Sequence, residues 1–467
     1  MSSVKFSPKR IIGFFGGLVV CFLIWNLPLQ GLPVDGQRCM ALSLAAVIWW
    51  AVGVINPGYT ALALLLGYSL LLNPSVAPRS LIFSLWATPT MYLVISGFLM
   101  AAAVQRSGLG RRIALNFILR FAKSYRSIII SCYLLGLLLS FMIPHPWPRS
   151  FMLSSVMVFV IKAAGLDGKA AKNIILAVFV GSVPTSMVLL TGDSILNSAV
   201  SGFVSGATGS SITYLQWIVY MGLSGLLASA LTCTVQILSF KGPEKLTIDF
   251  GEIRGELHGL GKLSGLEKRT IAAIALAVVL WCTDMLHGIN PGWVMVVATL
   301  ILALPMIEVL NADSWSQVNI GTLLFLCAAL AIGSVGAATG MNEWILNLLL
   351  PGSAPTNPYV FALVCMVICM VVHMLLGSSL AVLGIVTPAI TAFGAMAGFP
   401  PIASAFIVYT SVALHWLLPI HHINLLVGLG EHYNERNILR LGIPQTLVTV
   451  VVVLFQVFMW SVTGLIG

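Results

Sequence analysis

Apolar runs of about 20 residues, each long enough to cross a bilayer as a helix, follow one another from residue 11 almost to the end of the chain. About ten or eleven such windows can be drawn, and they leave little chain for a water-facing surface. Hydrophobic residues make up 59% of the 467 and charged residues 8%, against roughly 25% charged in soluble proteins. A mean hydropathy of +1.02 points the same way. The expectation is an all-α polytopic membrane protein with a single integral domain over residues 1–467, its helices satisfying their own backbone groups in the absence of water.

Eleven spans are expected, near 11–31, 38–55, 58–74, 82–105, 174–198, 214–239, 270–287, 292–310, 319–338, 402–428 and 441–465. The first follows Lys5, Lys9 and Arg10; it is too long for a signal peptide and lacks a small-residue cleavage site, so it reads as retained. Basic residues cluster at 106–126, at Lys169 and Lys172, and in the polar connection 241–269. Placing them inside puts the N-terminus in the cytoplasm and the protein in the plasma membrane, the inner membrane of a bacterium. The net charge of +9 therefore reflects loops that flank spans and implies no nucleic-acid partner. The eight cysteines form no CxxC, and Cys365 and Cys369, one helical turn apart, read as small core residues.

Two windows, 127–164 and 357–397, are apolar, broken in the middle and apolar again. The first breaks at PHPWPRS and the second at LLGSSL, which predicts two re-entrant hairpins with non-helical tips covered by protein or water. Adding 232 to a first-half position lands on its counterpart: Ser107-Gly108-Leu109 on Thr339-Gly340-Met341, and His145-Pro146-Trp147 on Gly377-Ser378-Ser379. Interrupted segments at matching positions of two halves point to a secondary transporter built as an inverted repeat, its site at the breaks. The first repeat is expected over 80–240, the second over 315–467, and the connection 241–269 is a cytoplasmic loop.

The polar residues at the breaks supply the candidate chemistry. Arg149 offers a planar fork that fits an anionic group bidentately; a salt bridge with Asp193 is the structural alternative. Alternating Pro144, Pro146 and Pro148 predict an extended tip that presents His145, Trp147 and Arg149 on one side, with Ser150 following. Asp193 reads either as the cap of a solvated helix end or as the carrier of a coupling proton. Thr185, Ser186, Thr191 and Asn197 are neutral oxygen donors suited to a cation or substrate site, or else helix-packing groups. In the second half Ser378, Ser379, His421, His422 and Asn424 are the matching candidates, with imidazoles fit for binding or proton transfer. Adjacent His421 and His422 cannot share one face of a regular helix. His373 and His415 read as packing residues.

The order of SGLGRRIAL, hairpin, broken helix, long loop and second copy resembles the divalent anion:sodium symporter family, which carries dicarboxylates, citrate or sulfate, over most of residues 80–467. The citrate and oxoglutarate/malate branch is the most similar. Pro144, Arg149 and Ser150 follow its first tip, HMLLGSSLAVL its second, TSMVLLTGDSILN its first broken helix and, loosely, LPIHHINLLVGLG its second. The resemblance implies a sodium ion, the one cofactor expected, and a homodimer with a static scaffold near 11–74 and 270–310. Here the family's Ser-Asn-Thr tips become His145-Pro146-Trp147 and Ser378-Ser379-Leu380, poorer in the hard oxygens that sodium takes. The functional expectation is secondary active transport of a small organic anion, a di- or tricarboxylate or a sulfonate, coupled to sodium, to protons or to anion exchange. A sulfate carrier of the same fold is the alternative. A histidine-bearing membrane enzyme is the rival class, although no HExxH or Walker A motif occurs.

Overall fold

Proline marks where many helices of this chain begin, because a first-turn residue has no intrahelical acceptor for its N–H to lose. The computed structural model describes residues 8–243, 246, 250–349, 353–376, 379–418, 421–422, 424–425 and 433–466. With single turns left unnumbered, its first-half helices are α1 (Pro8–Asn26), α2 (Val34–Val52), α3 (Pro57–Leu71), α4 (Pro89–Ser107), α5 (Leu109–Phe121), α6 (Tyr125–Ser140), α7 (Pro146–Ala163), α8 (Gly168–Ser186), α9 (Leu196–Thr208) and α10 (Tyr214–Ser239). Then come α11 (Gly251–Gly259), α12 (Gly265–Cys282), α13 (Pro291–Ala303), α14 (Ile320–Ala338), α15 (Met341–Leu349), α16 (Pro358–Leu376), α17 (Ser379–Met396), α18 (Pro401–Ala413) and α19 (Glu435–Thr463). Seven of these nineteen start on proline. Gly108, at φ +77°, ends α4, and the chain turns 65° into α5.

The two halves exchange helices. Ile55-Asn56-Pro57-Gly58 and Ile289-Asn290-Pro291-Gly292 are the same four residues, and in each the Asn side chain accepts the Gly N–H at 2.9 Å to cap α3 and α13. Yet α3 packs on second-half α14, and α13 on first-half α4. A Cβ on Gly58 would strike the Cα of Gly321, and one on Gly292 the carbonyl of Pro89, which lies 232 residues before Gly321.

Several expected spans are divided. The window 174–198 holds the end of α8, a 3₁₀ turn at Leu190–Gly192 and the start of α9, because Pro184 and Gly192 interrupt the helix. In the window 402–428 the helix that begins at Pro401 ends at Ala413. Among the described helices three are long and apolar enough for a full crossing, α10, α14 and α19, and the bent α4–α5 pair makes a fourth. Seven others are or contain apolar helical stretches of 10–17 residues. The connection 241–269 is not a plain loop: α11 rests on α5 and α7, held by an Arg111–Glu256 ion pair at 2.5 Å. Beside it Arg112 grips Glu267 at 2.5 Å and the carbonyl of Gly261 at 2.8 Å.

Candidate functional site between the two broken segments

In the first broken window, α6 ends at Ser140, five residues turn, and α7 begins at Pro146. The tip is shorter than three alternating prolines suggested. Pro146 and Pro148 occupy the first turn of α7, where a missing N–H costs nothing, so only the residues up to His145 are extended. Trp147 and Arg149 are thus helical and do not share one side with His145 by strand alternation.

Arg149 is fully buried, and its fork faces protein. Nη1 donates to the carbonyls of Ile143 (3.1 Å) and Gly192 (3.3 Å); Nη2 donates to the carbonyl of Ser182 (2.9 Å) and the hydroxyl of Ser186 (2.5 Å). Four of five donors are taken, leaving only Nε without a partner among the described residues. This differs from both expectations, the open anion fork and the Asp193 salt bridge. The breaks in α6–α7 and α8–α9 free carbonyls from helical pairing, and the guanidinium collects them. Ser194 N–H adds a bond to the carbonyl of Pro144 (2.8 Å), which ties the tip to the facing break.

Asp193 is buried rather than solvated, and its Oδ1 caps α9 by accepting from Ile195 N–H (2.9 Å) and Leu196 N–H (3.1 Å). The same oxygen lies 3.7 Å from His145 Nδ1. Three of the four expected oxygen donors are committed elsewhere. Thr185 and Ser186 bond back to their own helix, and Asn197 donates to the carbonyls of Ser186 and Leu189 while accepting from Tyr409. Thr191 Oγ1 alone is buried without a partner among the described residues. Ser150 and Asn424 bond each other across the halves at 3.3 Å, and Asn424 also donates to the carbonyl of Phe179 at 2.6 Å. They are a tie between α7 and the second break, not part of a cavity wall among the described residues.

At the second tip, Gly377 and Ser378 lie outside the described residues. Ser379, at the start of α17, donates to the carbonyl of His421 (2.6 Å), which also takes His373 Nε2–H at 2.9 Å. The chain separates the adjacent histidines, sending His421 toward His373 and His415 and His422 toward the cavity described below. His373 Nδ1 and His415 Nδ1 stand 3.4 Å apart, the separation two ligands would have across a tetrahedral ion at roughly 2.0–2.1 Å. A third ligand is missing, however. His421 Nδ1 accepts from Leu417 N–H at 3.1 Å, so the neutral ring carries its proton on Nε2 and presents no lone pair there. The trio is hydrogen-bond wiring that fastens the second tip to its break.

Between the two tips lies a cavity of about 170 Å³. Five helices begin at its wall: α3 (Asn56, Gly58), α7 (His145, Trp147), α9 (Leu196), α14 (Gly321, Thr322) and α17 (Ser379). Helix starts carry partial positive charge. The wall also bears ring nitrogens without a hydrogen-bond partner among the described residues. Trp147 Nε1 and both His145 nitrogens are buried and without hydrogen bonds among the described residues. His422 Nδ1 accepts from Asn424 N–H at 3.3 Å, which puts the proton of the neutral ring on an equally unsatisfied Nε2. Trp50 and Phe325, edge to face at 4.8 Å, close the apolar side. Asp193 is the one acid on the described wall, which holds no lysine or arginine. The roles of α3 and α14 were not anticipated, although the repeated INPG was there to be read.

The family described as the sodium:sulfate symporter transmembrane region matches residues 9–466. A membrane protein of Cupriavidus necator is 26% identical over 98% of this chain and 94% of its own. YflS of Bacillus subtilis, named for malate transport, is 22% identical over 74% of this chain and 73% of its own. The sodium-dependent dicarboxylate transporter SdcS of Staphylococcus aureus is 21% identical over 73% and 70% respectively. Among solved structures, the YdaH transporter of Alcanivorax borkumensis aligns over 98% of this chain and 99% of its own, with a TM-score of 0.50 and 13% identity. MtrF of Neisseria gonorrhoeae aligns over 95% and 97%, with a TM-score of 0.52 and 13% identity. At such identities these two support the fold alone.

Proposed function

From the premise that this chain belongs to the sodium:sulfate symporter transmembrane family, we propose that it carries a small organic dianion across the plasma membrane, bound in the cavity between the two tips. The family is one of transporters, which sets aside the membrane-enzyme alternative. The observation that carries the proposal is the wall itself: five helix starts and the ring nitrogens of Trp147, His145 and His422 that lack hydrogen-bond partners among the described residues meet on one partly open space. Such a lining costs free energy when empty and is compensated by an anion that accepts those hydrogen bonds. One carboxylate would take Trp147 Nε1–H and His145, and the other His422 Nε2–H. A volume of about 170 Å³ lies well under the roughly 300–1,000 Å³ of drug-sized pockets, which favours a four-carbon dicarboxylate over a tricarboxylate. Sulfate would leave part of the wall unsatisfied.

The family's name attaches sodium to its transport. In this chain the four oxygens gathered at the first tip, of Ile143, Ser182, Ser186 and Gly192, are hard donors of the kind an alkali cation takes, and Arg149 already sits among them. We assign Arg149 as a tethered cation at that point and a positioning residue for the tip. The coupling proton then falls to the Asp193–His145 pair, which joins break to tip at 3.7 Å. Pairing of two copies through α1–α3 and α12–α13 is part of the same reading.

Binding tests the cavity directly. Titrating purified protein with succinate, malate, citrate and sulfate while following thermal stabilisation should rank the four-carbon acids first. Trp147→Phe keeps the ring and deletes the N–H, and should weaken succinate about tenfold or more, as expected for one hydrogen bond to a charged group. Unchanged succinate affinity in that variant would remove Trp147 from the site.

A further inference from the structure

A second hollow lies apart from that cavity, between α5, the end of α6 and α12, with a volume of about 760 Å³. Its wall on α5 has two stripes at four-residue spacing. Ile113, Phe117 and Phe121 form one; Arg112, Asn116 and Arg120 form the other. Ile274, Ala275 and Val278 of α12 make the opposite side, and Leu138 and Met142, near the first tip, close the deep end. The hollow is therefore apolar along its length and cationic along one margin.

The two arginines of the margin are in different states. Arg112 is saturated by Glu267 and by the carbonyls of Leu260, Gly261 and Lys262. Arg120 is exposed, has no carboxylate among the described residues, and stands 5.8 Å from the Phe121 ring; exposed Lys123 and Arg126 follow it. No acid lines the hollow among the described residues. We propose that this groove is a binding site for an anionic phospholipid, its acyl chain along the Ile113–Phe117–Phe121 stripe and its phosphate at Arg120. Basic margins beside apolar clefts between membrane helices are suited to such headgroups. The chain would lie as a wedge between the first hairpin and α12, two parts that the halves of the repeat contribute separately.

The test uses the full purified protein in detergent, its thermal midpoint titrated with dioleoyl phosphatidylglycerol, dioleoyl phosphatidylcholine or glycerol 3-phosphate. The expected result is saturable stabilisation by phosphatidylglycerol only. Arg120→Gln should weaken its apparent affinity about fivefold, the equivalent of roughly 1 kcal/mol per basic residue at an anionic lipid surface. Ala275→Trp, which fills the groove at an exposed position, should abolish the stabilisation. Equal stabilisation by phosphatidylcholine would make the groove an ordinary lipid-facing surface. Equal stabilisation by glycerol 3-phosphate would make it a free-phosphate site, and either result, or full phosphatidylglycerol binding by both variants, overturns the proposal.

Discussion

Arg149→Ala is the perturbation whose consequences the structure specifies most fully. The guanidinium is the hydrogen-bond donor to four oxygens drawn from the first tip, α8 and the break after it. Its removal leaves the carbonyls of Ile143 and Gly192 unmatched, while the carbonyl of Ser182 keeps the Ser186 hydroxyl at 2.5 Å. At about 1–3 kcal/mol for each orphaned buried acceptor, two carbonyls cost about 2–6 kcal/mol. The variant should therefore unfold at a lower temperature in choline chloride. Because the deletion leaves a space ringed by hard oxygens, sodium should enter it and restore about 1.4 kcal/mol when its concentration is ten times its dissociation constant. Potassium, being larger, should restore less, and the parent protein should show no difference among the three salts. Thermal midpoints of detergent-purified protein across a sodium titration at constant ionic strength provide the assay. A destabilised variant that responds identically to sodium and choline would refute the tethered-cation reasoning.

Three further outcomes are expected. Gly58→Val and Gly292→Val should destabilise to a similar degree, by about 1–3 kcal/mol each, since both force a side chain into a contact that the two halves share; thermal midpoints check the equivalence. The Arg112 side chain holds the Glu267 carboxyl below the usual glutamate range. The stabilisation from that pair is then fully present above the ordinary glutamate pKa of about 4.3 and lost as pH falls through the lower folded value, so Glu267→Gln should flatten the acid limb of the stability curve. His422→Gln should weaken dianion binding about tenfold, as expected for one hydrogen bond to a charged group, because the unpartnered His422 Nε2 faces the cavity; a succinate titration by thermal shift checks it.

Sequence legibility divided along physical lines. Hydropathy carries the all-helical class, and the two interruptions are legible because helix interruption is a local property of Pro and Gly. The extent of the first tip is illegible for a local reason too: a proline in the first helical turn and a proline in extended chain look alike in sequence, and here Pro146 and Pro148 start α7. Arg149 could not be placed from sequence, because its partners are backbone carbonyls, which every residue possesses. His145, Trp147 and His422 were named as candidates and do line one cavity, but the helix starts of α3 and α14 beside them became visible only once the halves were seen to exchange helices.

The central claim is that a dianion crosses with protons that the Asp193–His145 pair takes up, while Arg149 replaces the cation of the first tip. Uptake of labelled succinate into proteoliposomes under separately imposed proton and sodium gradients tests it most directly. The account predicts accumulation driven by an inward proton gradient in sodium-free buffer, abolished in Asp193→Asn. Accumulation that requires a sodium gradient and ignores the proton gradient would contradict it.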